Sequence, residues 1–247
     1  MIRLVTYADD SMSQSMNLCV ESALKNGVDI CWPQNPNTID PTFREFNKEI
    51  LEAKRGAGFW LWKPYHIYKA MLGCQEGDIL IWSDAGQEFV GDVKQVIKCM
   101  KENVMLFNNG FAHVEWCKMD VINRILPICP GDNTIGSKQP QASFQIYYIN
   151  EASKKFVKEW LLYCQMPGMI DDFPSIIPNV PNFADHRHDQ AILGCLRIKY
   201  KIPLHWFPSL TNMHRLDMKL PGDDYPAIIN HHRKRNRGFG NSNNPEW

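Results

Sequence analysis

Four short stretches of this 247-residue chain concentrate side chains that can do chemistry. The first is Ser83-Asp84-Ala85-Gly86, directly behind the apolar run Ile79-Leu80-Ile81-Trp82. A carboxylate at the C-terminal end of a buried strand projects into the crevice where open α/β sheets bind ligands. Asp84, with Glu88 close by, can there hold a cation or a ribose hydroxyl; it can equally be a turn aspartate capping the next element. The second stretch runs from Arg55 to Lys63, a bend with Gly56 and Gly58 that carries Phe59, Trp60 and Trp62 between cations. Glycines let backbone approach a ligand closely, and Lys63 can offer a point charge to a diphosphate. A hinge whose tryptophans are simply core fits the same residues.

The third stretch, His186-Arg187-His188-Asp189-Gln190, opens a helix after a long Pro-rich loop. Asp189 in a first helical turn is favourable for the helix dipole without any catalysis. Four ionisable groups and an amide at a loop-to-helix junction nevertheless point to a site. The fourth is His231-His232-Arg233-Lys234-Arg235, behind a short strand. It reads as a solvated basic tail, or as adjacent histidines that ligate a metal or contact a diphosphate, with Arg233 adding charge-assisted hydrogen bonds.

The elements that must position these groups follow from periodicity. Ile2–Tyr7 is a β-branched run and predicts a first, central strand; a helix from Ser11 or Ser13 stops at Gly27, and Val28–Trp32 is the next strand. Such a βαβ opening is the usual start of a parallel, nucleotide-binding sheet. A loop over Pro33–Asp40 leads to a helix over Pro41–Lys54 and another from Pro64. The strand from Ile79 precedes a helix from Asp92 to Lys101, a strand over Val104–Phe107 and a helix over Cys117–Leu126. Pro127–Pro140 reads as irregular and Ser143–Ile149 as a strand. Glu151–Cys164 is a strongly amphipathic helix. The long loop Gln165–Ala184 precedes a helix over Arg187–Tyr200, and short strands are expected at Ile202–Phe207 and Ala227–Asn230. No Walker motif is present and no GxGxxG follows the first strand.

Composition narrows the classes. Lys plus Arg and Asp plus Glu both number 27, so no net field draws the chain to nucleic acid or anionic lipid. No apolar run approaches the ~18–20 residues of a membrane span, and Met1-Ile2-Arg3 enters a strand rather than a signal peptide. The eight cysteines are scattered without a C-x-x-C pair, so zinc spacing is absent and reduced, buried thiols in a cytoplasmic protein are expected.

Taken together, FWLWKPYHIYKAM, GDILIWSDAG, RHDQAIL and HHRKRN resemble small glycosyltransferases of the GT-A type, found in bacterial surface-polysaccharide clusters and in large DNA viruses. The similarity runs from the first strand to the basic tail. It implies an α/β, Rossmann-like fold: one domain over residues 1–247, with a mixed, mostly parallel sheet flanked by helices. Residues 1–110 would mainly bind donor and 111–247 acceptor, with the C-terminal tail returning to the donor site. Asp84 matches the first Asp of D-x-D, expected at the ribose and at Mn²⁺ or Mg²⁺, with Ser83 and Ala85 beside the donor. Gly86 replaces the second Asp, which puts metal dependence in question. His231 or His232 matches the late histidine that completes such metal sites. Thr6 and Tyr7 match positions that contact the base; Arg55, Lys63, His188 and Arg233 match donor-binding groups. Asp189 and Gln190 fall on the Asp-Gln element near the transferred sugar, as in retaining relatives.

The implied activity is hexosyl or pentosyl transfer from a nucleotide-diphosphate sugar to a glycan or glycoprotein acceptor in the cytoplasm, the host cytoplasm for a viral protein. Two rival readings stand beside it. One is a metal-dependent hydrolase or nucleotidyltransferase using Asp84, His188 and His231; the other is a binding module that kept the sheet and lost catalysis.

Overall fold

A computed structural model describes residues 1–126 and 136–236. Six strands form one sheet in the order β2-β1-β3-β6-β5-β7: β1 (Ile2–Tyr7), β2 (Ile30–Gln34), β3 (Ile79–Ser83), β5 (Val104–Ala112), β6 (Lys138–Tyr148) and β7 (Leu204–Trp206). The β1/β2, β1/β3 and β5/β7 pairs are parallel, while β6 runs antiparallel to both β3 and β5. A separate two-stranded ribbon pairs β4 (Gln87–Phe89) with β8 (Ile229–His231), setting Gln87 opposite His231. The chain therefore comes back, near its end, to the segment just behind β3.

Side chains of a strand alternate between faces, so each strand feeds two cores. Val5, Leu80, Leu106 and Tyr147 pack on one face with α5 (Trp62–Leu72), α7 (Met119–Ile125), α8 (Glu151–Cys164) and α9 (His188–Lys199). Leu4, Ile81, Met105 and Ile146 pack on the other, against α1 (Ser13–Lys25), the short α6 (Lys94–Ile97) and the tail residues Tyr225, Ile228 and Ile229. Among the described residues no helix is long and apolar enough to cross a membrane.

Most expected elements are present, and the departures have local causes. The second strand runs on through Pro33, which reads as a loop residue. Because β2 is the sheet edge, the missing amide N–H of proline interrupts no ladder. The helix expected over Pro41–Lys54 is two pieces, α2 (Pro41–Phe46) and α3 (Lys48–Leu51). The buried Asn47 separates them, and its side-chain amide donates to the Phe43 carbonyl, competing with the helical ladder. Only Lys94–Ile97 of the helix expected from Asp92 is helical. The strand expected from Ser143 begins at Lys138; residues 127–135 and Cys129 lie outside the described part of the chain.

Candidate functional site

From β1 the chain moves to one side for β2 and then to the other for β3, so the crevice beyond the ends of β1 and β3 is the point where strand order reverses. Open α/β sheets bind ligands at such points. Tyr7 closes β1, stacked on Trp62 at 4.0 Å between ring centroids, and Asp84 follows β3. The backbone amide of Asp84 donates to the Ser143 carbonyl, and the Trp82 indole donates to its Oδ1 at 2.9 Å, which hold the carboxylate at the strand tip.

Lys63 lies on α5, 3 % exposed, and its ammonium is the centre of the site. It stands 3.1 Å from Asp84 Oδ1 and 3.5 Å from Asp189 Oδ2, and donates to the Ala142 carbonyl of β6 at 3.3 Å. Burial alone would lower the pKa of Lys63, but the two carboxylates outweigh it and the net direction is upward, keeping the ammonium charged. One positive charge cannot neutralise two carboxylates. Asp189, the deeper one, bears the consequence: burial raises its pKa to about 6, Lys63 opposes the rise, and Asp84 adds to it. Apart from the ammonium, Asp189 Oδ2 has no hydrogen-bond partner. An under-solvated carboxylate that titrates close to neutrality suits proton transfer, and in its ionised form it can stabilise a cationic carbon.

Asp189 is positioned by the start of α9. His188 takes a left-handed φ of 45°, and the Trp160 indole donates to the Asp189 carbonyl at 2.9 Å. Gln190 spends both ends of its amide on β6, accepting from Ala142 N and donating to Gln139 Oε1. It therefore positions Asp189 by locking α9 to the sheet.

The tail completes the crevice. Successive residues of β8 and His232 just behind it face opposite sides: Asn230 donates to Glu88, and His232 feels the charge of Glu88, whereas His231 feels that of Asp84. Burial, then Arg233, lowers the pKa of His231 to about 4, so its imidazole is neutral at physiological pH. Its Nε2 accepts from Arg233 Nε at 3.1 Å. Gly86 now has a structural reason: a Cβ there would come within 2.9 Å of Arg233 Cα, where the tail backbone crosses and its amide donates to the Gly86 carbonyl.

Not all the expected ligands converge. Asp84, His231 and His232 form no three-ligand group; among the described residues the one such group is His113, Cys117 and Cys195. Asp84 Oδ1 is already occupied by Lys63 and Trp82, the place of a second Asp is filled by backbone, and His232 faces Glu88. Among the described residues the protein alone therefore offers no complete ligand set for a divalent cation around Asp84, whose Oδ1 faces the Lys63 ammonium instead.

Other expected residues are buried or paired within the protein. Ser83 is fully buried and donates to Gln87 Oε1; Ala85 and Thr6 are enclosed as well. Arg55 pairs with Asp172 and Asp185. His188 bonds Asp172 at 2.9 Å and stacks on Phe59, remote in its contacts from Asp84 and His231. The Gly-rich bend, the short helical turn α4 (Gly56–Phe59), is strained. All five residues from Gly56 to Trp60 have positive φ, with non-glycine values of 49°, 51° and 61° at Ala57, Phe59 and Trp60. Each such non-glycine residue costs on the order of 1 kcal/mol and persists only where surrounding packing enforces it. Here that packing is the stack of Phe59 and Trp60 on His188.

One residue escaped the sequence reading. His66 on α5 is 1 % exposed, with neither ring nitrogen hydrogen-bonded, and burial lowers its pKa to about 3. It sits 5.4 Å from the Tyr7 ring and lines a cavity of about 210 Å³ with Trp32, Gln34 and Lys69. A lone helical histidine carries no pattern that could have flagged it.

No protein-family model matches the chain, and no curated protein is significantly similar to it. Among solved structures, the bifunctional glycosyltransferase WbbM in its apo form superposes with a TM-score of 0.53 at 11 % identity, over 94 % of this chain and 46 % of that one. The present chain thus spans under half the length of WbbM, and the likeness is one of fold. Mouse xyloside xylosyltransferase 1, also apo, aligns over 94 % of this chain and 98 % of its own at 8 % identity, with a TM-score of 0.47.

Proposed function

We propose that the chain transfers a glycosyl group from a nucleoside diphosphate sugar to a hydroxyl of a glycan acceptor. The observation that carries this reading is the single buried ammonium of Lys63 between Asp84 and Asp189, set at the reversal of strand order. The fold shared with WbbM is consistent with it.

In glycosyl transfer, positive charge grows at the anomeric carbon while negative charge grows on the departing diphosphate. Asp189 is the carboxylate for the first charge. Its raised pKa marks it as weakly solvated, so its anionic form gains most from a cation beside it. Lys63 and Arg233 are the cations for the second. Asp84 keeps one oxygen for the ribose while the other stays on Lys63. Tyr7 and His66 border the base end of the donor. The loop around Asp172 carries Phe173 at 72 % and Ile176 at 94 % exposure, an apolar face suited to a sugar acceptor. Arg55 ties that loop to the strained bend, so acceptor and donor sides share one support.

Incubation with UDP- and GDP-sugars plus a glycan panel tests the proposal. Release of nucleoside diphosphate, lost in folded Asp84→Ala and Asp189→Ala chains, is the expected result, and adding Mn²⁺ or Mg²⁺ to chain dialysed free of them leaves the rate unchanged. Release of monophosphate or pyrophosphate would point instead to a hydrolase or nucleotidyltransferase, and tight donor binding with no turnover to a binding module.

A further inference from the structure

Outside this crevice, three soft or borderline ligand groups meet in the fully enclosed interior. His113 follows β5, Cys117 precedes α7 and Cys195 lies on α9, and all three residues have zero exposure. Cys117 Sγ and Cys195 Sγ are 3.8 Å apart, His113 Nε2 is 3.3 Å from Cys195 Sγ, and the three ligand atoms lie within 4.8 Å of one another. Bond lengths of ~2.3 Å to sulfur and ~2.0–2.1 Å to nitrogen place tetrahedral zinc ligands about 3.8 Å apart for two sulfurs and about 3.5 Å apart for sulfur and nitrogen. Two of the edges already have those lengths.

The fold also makes room for the ring. Gly194 sits mid-helix beside Cys195, and a Cβ there would strike His113 Cε1 at 2.4 Å and Nδ1 at 2.5 Å. Glycine inside a helix costs roughly 0.5–1 kcal/mol relative to alanine, so a packing role accounts for its presence where the imidazole must lie against the helix. Charge argues for the identity of the occupant. A divalent ion with two thiolates and a neutral imidazole is neutral overall, which is the form a dry interior tolerates. Thiolate and imidazole ligands select zinc over magnesium, manganese or calcium.

We propose that His113, Cys117 and Cys195 bind a structural zinc ion that staples α9 to the connection between β5 and α7. Binding replaces the two thiol protons, which pass to solvent, and involves no redox step. Its consequence reaches the crevice indirectly, because α9 also carries Asp189 and Gln190. The inference is independent of the proposed transferase activity, and its test does not read activity.

The chain is produced in zinc-supplemented and, in parallel, cobalt-supplemented minimal medium, then purified without chelator. Stoichiometric zinc by elemental analysis is expected, together with near-ultraviolet thiolate-to-cobalt charge-transfer bands in the cobalt form, which the oxygen ligands of the crevice cannot produce. Cys117→Ser and Cys195→Ser should lose the metal and the bands, while Cys74→Ser, outside the cluster, keeps both. Should the serine variants not fold, the cobalt spectrum of the wild-type chain decides alone. Absence of stoichiometric zinc and of the cobalt bands overturns the proposal, as does a Cys117–Cys195 disulfide found by mass spectrometry, or zinc retained in both serine variants.

Discussion

Two buried charge assemblies in this molecule share a plan and differ in how completely they are satisfied. At the crevice, Lys63 stands between Asp84 and Asp189; on the edge strand β7, His205 stands between Asp223 and Glu102. In the second assembly His205 Nδ1 lies 2.6 Å from Asp223 Oδ1, while Oδ2 accepts from the amides of Trp206 and Leu220 at 2.8 and 2.9 Å. Although burial opposes both shifts, these partners raise the pKa of His205 and lower that of Asp223, favouring the charged pair. Asp189 has the opposite fate: one oxygen left to a lone ammonium and a pKa pushed up to about 6. The saturated assembly is a clamp holding the tail loop to β7. The unsaturated one holds a charge in readiness for a ligand, at a cost in stability.

Removing the central group of each assembly separates the two. Lys63→Met should have the largest effect. It leaves two carboxylates facing each other without a cation, which costs about 3–5 kcal/mol of stability at neutral pH by the usual penalty for breaking a buried pair. The defect should shrink as pH falls and Asp189 takes up a proton; denaturant titrations at several pH values measure it, and a pH-independent loss would contradict the shared-ammonium picture. Asp223→Ala should cost a similar ~3–5 kcal/mol, because two amides and an imidazole lose their acceptor together. Nucleoside diphosphate release should survive in whatever fraction of this variant stays folded. In the wild-type chain the His205 contribution is complete below pH about 6.5 and fades as pH rises through its raised folded pKa.

Asp189→Asn should separate function from stability. Transfer is expected to fall by about 10²–10³, the usual cost of removing one preorganised charge-stabilising group. Stability should rise by roughly 1–3 kcal/mol above pH 6, the equivalent of the upward pKa shift. The sign follows from proton count. Between the unfolded value of 3.8 and about 6 the folded chain holds a proton that the unfolded chain has lost, so stability falls as pH rises through that window. In the wild-type chain transfer should climb with pH toward a plateau above about 6, where Asp189 is ionised, and a flat profile would remove Asp189 from the chemistry. The smallest effect is expected from Gly86→Asp. Restoring the second carboxylate should not create Mn²⁺ dependence, and the clash with Arg233 should cost about 1–3 kcal/mol, read by thermal shift.

What the amino-acid sequence determined by itself is local. The β-branched run Ile2–Tyr7 defines β1 to the residue, and the apolar stripe of Glu151–Cys164 defines α8, because strand and helix preferences are written in neighbouring residues. Asp84 was legible for the same reason, as a carboxylate at the end of an apolar strand. Gly86 was visible only as a departure from a pattern, and its cause, the backbone of Arg233, arrives from the far end of the chain through the β4/β8 ribbon. Tertiary structure alone decided that Lys63 serves both carboxylates, that Gln190 braces β6, that His231 rather than His232 faces Asp84, and that two cysteines without zinc spacing meet a histidine in the core. Each of these depends on which strands are neighbours and which helix covers them. That order, β2-β1-β3-β6-β5-β7, is a property of the whole packed chain, whereas periodicity reports only on the side chains within one element.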